Sequence, residues 1–289
     1  TGIMAIENKK YIENKNRKKY VLTFEDLQYI IPAFRSKSGA LLLKILYSLA
    51  GIDKINDLYS HSCDKNGSEF VDSILKELGI TYNIHHKEIL NQLPKGGFVT
   101  VSNHPYGALD GLILIHLLGS YRPDYKVMVN WILTYIEALT DNFIAVEPTS
   151  NETRRQISMV GIRESLSHIR NGHPIGFFPA GAVSKINSRL RIEDREWQPT
   201  VIRLIQQFKV PVIPIYFQGH NSLFYNLLGI IDWRIRTLRL PLEIFNKRNV
   251  TFDISIGDPI SVEQQQKLKN LDEFGKFLKK ETLKLKKSK

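Results

Sequence analysis

A histidine and an aspartate flank a sharp turn in the first half of the chain. His104 and Asp110 lie in the run Ser102–Gly111, which follows the β-branched segment 98–101 and precedes the apolar segment 112–118. The first segment predicts a buried strand and the second a buried helix, so the pair falls at the carboxyl end of a strand, where open α/β sheets place their ligand sites. A histidine held by a carboxylate is a general-base arrangement, because the carboxylate fixes the tautomer and stabilises the imidazolium.

The residues between the two supply the bend that their pairing needs. On one continuous α-helix, His104 and Asp110 would point roughly 120° apart, at about 3.6 residues per turn. Pro105 disfavours helix in the residue before it, and Gly107 permits unusual dihedral angles. The alternative is a turn with an incidental histidine, in which Asp110 only caps the helix that follows.

Three segments resemble motifs of one enzyme family, in the same order along the chain. The run NHPYGALDG at 103–111 resembles the first motif of the PlsC-like lysophospholipid acyltransferases, in which the His and the Asp form the catalytic pair. FFPAGAVS at 177–184 resembles the family's FPEGTRS block, and VPVIPI at 210–215 resembles its VPIVPV block. Most of the family has one residue fewer between His and Asp. The longer spacing looks like the hemolysin-like branch, which includes O-acyltransferases of bacterial amino-acid lipids such as ornithine and glycine lipids.

This resemblance implies acyl transfer to a hydroxyl group. His104 would deprotonate the acceptor alcohol, Asp110 would orient His104, and the alkoxide would attack the thioester of acyl carrier protein or acyl-CoA. No metal and no organic cofactor is expected, because the thioester supplies the energy. Backbone N–H groups near Gly181 or Gly107 are candidates for stabilising the oxyanion. The residues expected to contact the substrates are Asn103, Tyr106, Gly107, Phe178, Pro179, Ala180 and Gly181; for Asn103 and Tyr106, the alternative is that they only shape the turn.

The chain departs from the family pattern at the positions that hold a phosphate. In the FFPAGAVS segment, the usual Glu of FPEGTRS is Ala180, and its usual Thr-Arg pair is Ala182-Val183. A further family block, FIxR-like and associated with holding a glycerol phosphate, should fall between the first two segments near 143–148, and no Arg stands at its end. A phosphomonoester needs such cationic partners, so we expect a monoacylated amino-acid lipid as the acceptor. The alternatives are an acyltransferase that acts on lysophosphatidic acid and a non-catalytic lipid-binding protein on the same fold.

The charge of the chain indicates an anionic partner. The net charge is +11, and a basic surface suits nucleic acid, anionic lipid or an acidic carrier protein. Within 227–247, arginines alternate with aliphatic residues beside Trp233. This mixture favours a lipid interface, and the absence of a nucleic-acid-binding motif argues against nucleic acid. The alternative is an amphipathic element packed on the domain. The residues expected at the membrane are Lys44, Trp233, Arg234 and Arg236.

Alternating strands and helices predict an α/β protein with a mostly parallel central sheet flanked by helices. We expect an N-terminal helical cap over 4–92 and an α/β acyltransferase domain over 93–289 that ends in a basic helix. The predicted strands are 98–101, 126–130, 143–146, 174–178, 212–217 and 250–256, and the predicted helices are 24–52 with a break near Pro32, 68–78, 152–170 and 262–287.

Three further features bear on the location of the protein. The apolar segment 39–52 is too short to span a membrane and is either an interfacial or a core helix. Cys63 is the single cysteine, which permits no internal disulfide and no cysteine-based zinc site. The early residues are rich in Lys, Asn and Tyr, which predicts no cleavable signal peptide. We therefore expect a cytoplasmic protein that is peripheral on the inner face of the cell membrane.

Overall fold

A seven-stranded sheet lies at the centre of the protein, in a computed structural model that describes residues 17–147, 155–268 and 270–287. The described strands are β1 (Thr81–His85), β2 (Val99–Ser102), β3 (Lys126–Asn130), β4 (Phe143–Val146), β5 (Ile175–Phe177), β6 (Lys185–Ile186), β7 (Ile192–Glu193), β8 (Val212–Phe217) and β9 (Thr251–Ile256). The sheet has the order β1-β9-β8-β2-β5-β3-β4, and β6 and β7 form a separate antiparallel hairpin. Within the large sheet, only β8 and β9 are antiparallel, so the predicted, mostly parallel sheet is confirmed.

Helices cover both faces of this sheet. The described α-helices are α1 (Phe24–Ile30), α2 (Lys37–Ala50), α3 (Ile52–Ser60), α4 (Gly67–Leu78), α5 (Ala108–Gly119), α6 (Arg155–Arg170), α7 (Pro199–Phe208), α8 (Leu223–Ile231), α9 (Trp233–Arg239), α10 (Val262–Gln266) and α11 (Leu271–Lys284). Short 3₁₀ helices occupy Pro32–Arg35, Lys87–Gln92, Trp131–Tyr135, Glu137–Asn142 and Leu240–Lys247. The predicted break near Pro32 is confirmed. The expected start of the helix over 152–170 lies outside the described residues, as does the segment 4–16 of the expected cap.

The sheet separates two hydrophobic cores. One is built with α3, α4 and α5, and the other with α6, α7 and α11. Neighbouring residues of β8 serve different cores, with Val212 in the second and Ile213 in the first, because successive strand side chains point to opposite faces. All six residues of β8 are buried, as expected for a strand covered by helices on both sides.

The edge of the sheet extends across the expected boundary between cap and α/β domain. β1 lies within 4–92, yet it pairs in parallel with β9 over five residues, from Thr81 opposite Thr251 to His85 opposite Ser255. No residue of β1 is fully buried, which is typical of an edge strand and explains why no apolar run marks it. The N-terminal segment therefore contributes a strand to the sheet as well as helices.

The basic C-terminal segment forms two helices where one was predicted. Ser261 caps α10, which ends at Gln266, and Asn270 caps α11 by accepting a hydrogen bond from the Glu273 N–H. Asp272 and Glu273 then lie in the first turn of α11, where negative side chains are favourable. The single-helix prediction was wrong because the apolar periodicity continues across this second start signal.

Candidate active site

The turn after β2 brings His104 and Asp110 together. His104 Nδ1 lies 2.9 Å from Asp110 Oδ2, the His104 side chain is 17% exposed, and Asp110 is fully buried. Because Nδ1 contacts the carboxylate, Nε2 is the ring nitrogen left to accept a proton. The expected pairing is therefore present in the fold, and the catalytic role of the pair stays a prediction.

Asp110 also caps the helix that follows it. The same Oδ2 atom accepts hydrogen bonds from the N–H groups of Tyr106 at 2.9 Å and Gly107 at 3.0 Å. Gly107 has φ 88° and ψ −132°, a conformation open to glycine, and it is the N-cap of α5. The two alternatives for Asp110, partner of His104 and helix cap, therefore hold at once through a single oxygen atom.

The electrostatics of Asp110 follow from its burial. Burial raises the pKa of Asp110, while the bonds from His104, Tyr106 and Gly107 act in the opposite direction. Its second oxygen, Oδ1, has no hydrogen-bond partner within the described part of the chain. All three donors therefore contact Oδ2, the oxygen that faces His104, and they hold the carboxylate in that orientation.

Phe178 forms one wall of the site. Its ring stacks on the His104 imidazole, with centroids 4.3 Å apart and planes 26° apart. Phe178 directly follows β5, and His104 follows β2. Because β2 and β5 are neighbouring parallel strands, their carboxyl ends place the two rings side by side. The stacking fixes the plane of the imidazole and shields one of its faces from water.

Asp194 holds the backbone of the histidine and was not anticipated from the sequence. Its Oδ1 accepts from the His104 N–H at 3.2 Å and from Ser184 Oγ at 3.3 Å, and its Oδ2 accepts from Trp197 Nε1 at 2.9 Å. Burial raises the pKa of Asp194, and these donors act against the rise. Ser184 also bonds the histidine backbone directly, because its N–H donates to the His104 carbonyl at 2.9 Å.

Asn103 and Tyr106, which were expected to contact substrate, are occupied by the sheet. The Asn103 amide donates to the Phe217 carbonyl at 2.9 Å and accepts from the Phe217 N–H at 2.8 Å. The Tyr106 hydroxyl donates to the Gln218 carbonyl at 2.5 Å. These bonds tie the turn after β2 to the end of β8, so the structure favours the alternative in which both residues shape the turn.

The glycine turns expected to stabilise an oxyanion use their own N–H groups internally. The Gly181 N–H donates to the Phe178 carbonyl at 2.9 Å, and the Gly107 N–H is held by Asp110. Gly181 has φ 66°, a left-handed conformation that favours glycine, and a Cβ there would displace the Gln198 side chain. Pro179 and Ala180 are buried beside it. The N–H groups of Gly181 and Gly107 themselves are thus engaged within their turns, and an oxyanion donor among the neighbouring N–H groups stays a prediction.

The four residues expected at the membrane do not share one face. Lys44 on α2 is exposed, and so are Trp233 and Arg234 on α9. Arg236 is the exception: it is 5% exposed, and its guanidinium donates to the carbonyls of Val183 and Ser184. Its expected membrane contact was wrong, because this position of α9 faces the protein interior.

Glu147, which stands where a phosphate-binding block ends, is held by a neighbouring side chain. Its carboxylate accepts a hydrogen bond from Trp131 Nε1 at 2.9 Å, and its backbone bonds Ser158. The described residues contain no cluster of three or more His, Cys, Asp or Glu able to hold a metal ion. No helix in the described part of the chain has the length and apolar character needed to cross a membrane.

Comparisons with known proteins place this chain in a family. A family model described as acyltransferase matches residues 30–289. The chain is 30% identical over 286 residues to a lyso-glycine lipid O-acyltransferase of Phocaeicola vulgatus, a match that covers 96% of this chain and 94% of that protein. It is 32% identical over 235 residues to a protein of the same name from Bacteroides thetaiotaomicron, covering 78% of this chain and 83% of that protein.

A crystal structure is also similar. The 1-acyl-sn-glycerophosphate (LPA) acyltransferase PlsC from Thermotoga maritima matches with a TM-score of 0.49 and 15% identity, over 97% of this chain and 100% of that chain. Since the family model spans most of the sequence and the curated relatives match it at 30% identity or more, the chain belongs to the acyltransferase family.

Proposed function

We propose that this acyltransferase moves a fatty acyl group from a thioester donor to the hydroxyl of a monoacylated amino-acid lipid of the glycine-lipid type. The observation that carries the proposal is the His104–Asp110 pair, at 2.9 Å, in a chain 30% identical over 286 residues to a lyso-glycine lipid O-acyltransferase. A general base beside a buried carboxylate suits activation of an alcohol. Retention of both members of the pair argues against a purely lipid-binding protein.

The proposed chemistry assigns one proton transfer to each half of the reaction. His104 Nε2 takes the proton of the acceptor hydroxyl as its oxygen attacks the thioester carbonyl carbon. Asp110 holds Nδ1–H and stabilises the imidazolium that forms. The tetrahedral intermediate then loses the thiolate, which takes the proton back from His104. The products are an ester and a free thiol, with no net change at the enzyme.

The residues at the phosphate-binding positions support an acceptor without a phosphomonoester. Ala180 and Val183 are buried and apolar, and they offer no charge. Glu147 is negative, and its carboxylate is engaged by Trp131. A phosphomonoester carries close to two negative charges and would need cationic partners where these residues stand.

A membrane surface is the proposed location of the reaction. Helices α2 and α8 both pack on α9, and the three helices carry large apolar side chains that are at least 46% exposed: Leu41, Leu42, Ile45, Leu49, Leu223, Phe224, Leu227, Ile230, Ile231, Trp233 and Ile235. We call this group the apolar face. Grouped exposed apolar residues mark interaction sites, and flanking Lys44 and Arg234 suit anionic headgroups of the cytoplasmic leaflet.

The donor in this proposal is acyl carrier protein or acyl-CoA, and both carry negative charge. The net charge of +11 favours encounter with either one. Release of the free thiol from each donor, measured separately with one acceptor, tests which is used. No additional cofactor takes part in the proposed reaction.

A side-by-side comparison of two acceptors tests the substrate class. The purified enzyme is assayed with one acyl donor in mixed micelles that contain either an N-(β-hydroxyacyl)glycine or lysophosphatidic acid. We expect the higher kcat/KM for the glycine lipid, and no product from an N-acylglycine that lacks the hydroxyl. A higher kcat/KM for lysophosphatidic acid would return the protein to phospholipid synthesis. Tight lipid binding without thiol release from either donor would favour the lipid-binding alternative.

A further inference from the structure

Two arginines donate hydrogen bonds to the segment Val183–Ser184, which contacts the turn that carries His104. Arg195 Nε donates to the Val183 carbonyl at 3.1 Å. Arg236 donates to the same carbonyl at 3.3 Å and also to the Ser184 carbonyl. The N–H of Ser184 in turn donates to the His104 carbonyl at 2.9 Å. Both guanidinium groups therefore contact the peptide group between Val183 and Ser184, and the N–H of that peptide bonds the backbone of His104.

Among the residues that the structure describes, no carboxylate pairs with these arginines. Arg236 is 5% exposed, and its Nε has no hydrogen-bond partner among the residues that the structure describes. Within the same residues, neither Arg195 nor Arg236 forms an ion pair, although Lys279 and Lys126 do. The group that packs on the Arg236 guanidinium is the ring of Tyr225, 4.6 Å from its centroid.

Asp194, which precedes Arg195 in the chain, and Glu243, whose charge acts on Tyr225, accept hydrogen bonds from other groups. Asp194 receives the bonds of His104, Ser184 and Trp197. Glu243 accepts from the N–H and the hydroxyl of Ser222. Burial lowers the pKa of Arg236, the charge and hydrogen bond of the Tyr225 hydroxyl act to raise it, and the like charge of Arg195 lowers it. Burying the Arg236 cation without an anion is costly, so Arg236, with the half-buried Arg195 beside it, fits a site that an anionic ligand completes.

We propose that Arg195 and Arg236 bind the carboxylate of the acceptor's amino-acid headgroup, an inference that rests on the proposed function. A guanidinium presents a planar fork of donors that matches a carboxylate, and two of them share its single charge. The arginines thereby take the place of the missing cations of the family motifs, at a position outside those motifs.

The position of Arg236 on α9 connects this site with the lipid surface. The same helix exposes Trp233, which belongs to the apolar face, and buries Arg236 on its inner side. An acceptor whose chain lies against the apolar face would pass its headgroup to Arg236 and its hydroxyl to His104. The burial of Arg236 favours a small, singly charged group over the multiply charged phosphates of a thioester donor, which cost more to bury.

Matched acceptors and matched variants test the proposal. The acceptors are an N-(β-hydroxyacyl)glycine and its methyl ester, which share the chain and the hydroxyl. We expect the wild-type enzyme to prefer the acid by about 10- to 100-fold in kcat/KM, the range of charge-assisted hydrogen bonds. Arg195→Gln and Arg236→Gln should lose this preference through a lower kcat/KM for the acid alone. Arg203→Gln removes an exposed positive charge on α7 and should keep it.

Several outcomes would overturn the inference. Equal losses for acid and ester in a folded Arg195→Gln variant would mean that the arginine only supports the loop. A raised KM for the thioester with an unchanged acid-to-ester ratio would assign the site to the donor. Because Arg236 is buried, Arg195→Gln and Arg195→Lys decide the matter if Arg236→Gln does not fold. Equal rates for acid and ester in wild type would defeat this inference and leave the proposed function standing, whereas no transfer to either would defeat both.

Discussion

His104 is the residue on which the proposed chemistry depends. Its Nδ1 is held by Asp110 and its ring is stacked on Phe178, so a substitution removes the base from a site that is otherwise built by backbone bonds. We expect His104→Ala to lower kcat by ~10²–10⁴, the range for loss of a general base, with little change in thermal stability. Thiol release and a thermal melt on the same preparation measure the two effects. Near-wild-type turnover by a folded His104→Ala protein would contradict the assignment.

Asp110 performs two tasks that a conservative change can separate. An asparagine at 110 keeps an oxygen that can accept from the N–H groups of Tyr106 and Gly107, so it can still cap α5. It cannot stabilise an imidazolium by charge. We expect Asp110→Asn to lower kcat strongly and to melt close to wild type, while Asp110→Ala loses both rate and stability. Equal stability losses in the two variants would mean that the charge, not the cap, holds the turn.

The local part of the site could be predicted from the sequence, and the long-range part could not. The His104–Asp110 pair spans one turn, so its residue types and the Pro and Gly between them indicate the contact. Asp194 lies 90 positions from His104, and the Asn103 amide bonds Phe217 at a separation of 114. The Asn103 contact follows from the order of strands in the sheet, and the Asp194 contact follows from the placement of the separate β6–β7 hairpin beside the turn after β2. No local pattern encodes that order, because any strand of suitable length could stand beside β2.

At the scale of elements, local features could again be predicted from the sequence and long-range packing could not. The bounds of β3, β4 and β8 agree with their predicted ranges because each is a compact apolar run. The edge strand β1 carries no such run and escaped prediction. Arg236 was assigned to the membrane because its segment mixes arginine with aliphatic residues, and only the packing of α9 on α8 and α2 determines which arginine turns inward.

Helix α6 approaches β4 through a glycine, and this contact predicts a stability effect. A Cβ on Gly161 would overlap the Ala145 carbonyl oxygen and would lie 3.0 Å from Val146 Cγ1. We expect Gly161→Ala to destabilise the protein by about 1–3 kcal/mol, because overpacking against a backbone atom outweighs the ~1 kcal/mol that alanine gains in helix propensity. Urea unfolding measures the difference.

Gly119→Ala is the matched control for this close approach. A Cβ at Gly119, the last residue of α5, would meet Ser68 at an ordinary 3.6 Å. This variant should unfold at the wild-type urea concentration or slightly above it. If Gly161→Ala proved as stable as Gly119→Ala, α6 would have to lie farther from β4 than in this structure.

Asp124 links the loops before β3 and β5, at the end of the sheet opposite to His104. Asp124 precedes β3, and it accepts from the Arg122 guanidinium at 2.7 Å and from His173, which precedes β5, at 2.6 Å. Partial burial by itself raises the pKa of Asp124, but the bonds from Arg122 and His173 outweigh it and hold the pKa at about 2. The folded state therefore favours the ionised carboxylate.

This depressed pKa predicts a pH-dependent effect of Asp124→Asn. Stabilisation by the carboxylate is fully present above the unfolded pKa of 3.8 and is lost as the pH falls toward the folded value of about 2. We expect Asp124→Asn to lower the free energy of unfolding by about 1 kcal/mol at neutral pH, after allowance for solvent screening, and kcat to stay unchanged. Denaturant titrations across this window measure the gap, which should close as the pH falls. A constant gap, or an equal one in the exposed control Asp258→Asn, would show that the charge is not the cause.

At the scale of the whole molecule, the proposed membrane binding assigns charge and apolar surface to the same partner. The net charge is +11, and the apolar face of α2, α8 and α9 presents Trp233 at 65% and Ile231 at 75% exposure. Basic residues supply long-range attraction to anionic lipid, which salt screens, and apolar side chains supply the short-range term, which salt leaves intact. An interface built from both components should therefore respond to salt and to apolar substitutions independently.

Vesicle sedimentation separates these two components. We expect the protein to bind anionic vesicles at low salt and to dissociate progressively as salt is added, since each basic residue near the surface contributes on the order of 1 kcal/mol. Ile231→Glu should weaken binding by about tenfold or more at every salt concentration, because a buried apolar side chain of this size is worth roughly 1.5–3 kcal/mol. Val160→Glu, at an exposed apolar position of α6, should bind like wild type. Equal binding to neutral and anionic vesicles at low salt would contradict the electrostatic component. An unchanged Ile231→Glu variant would move the contact away from the apolar face, and the acceptor would then have to reach Arg236 and His104 from another side.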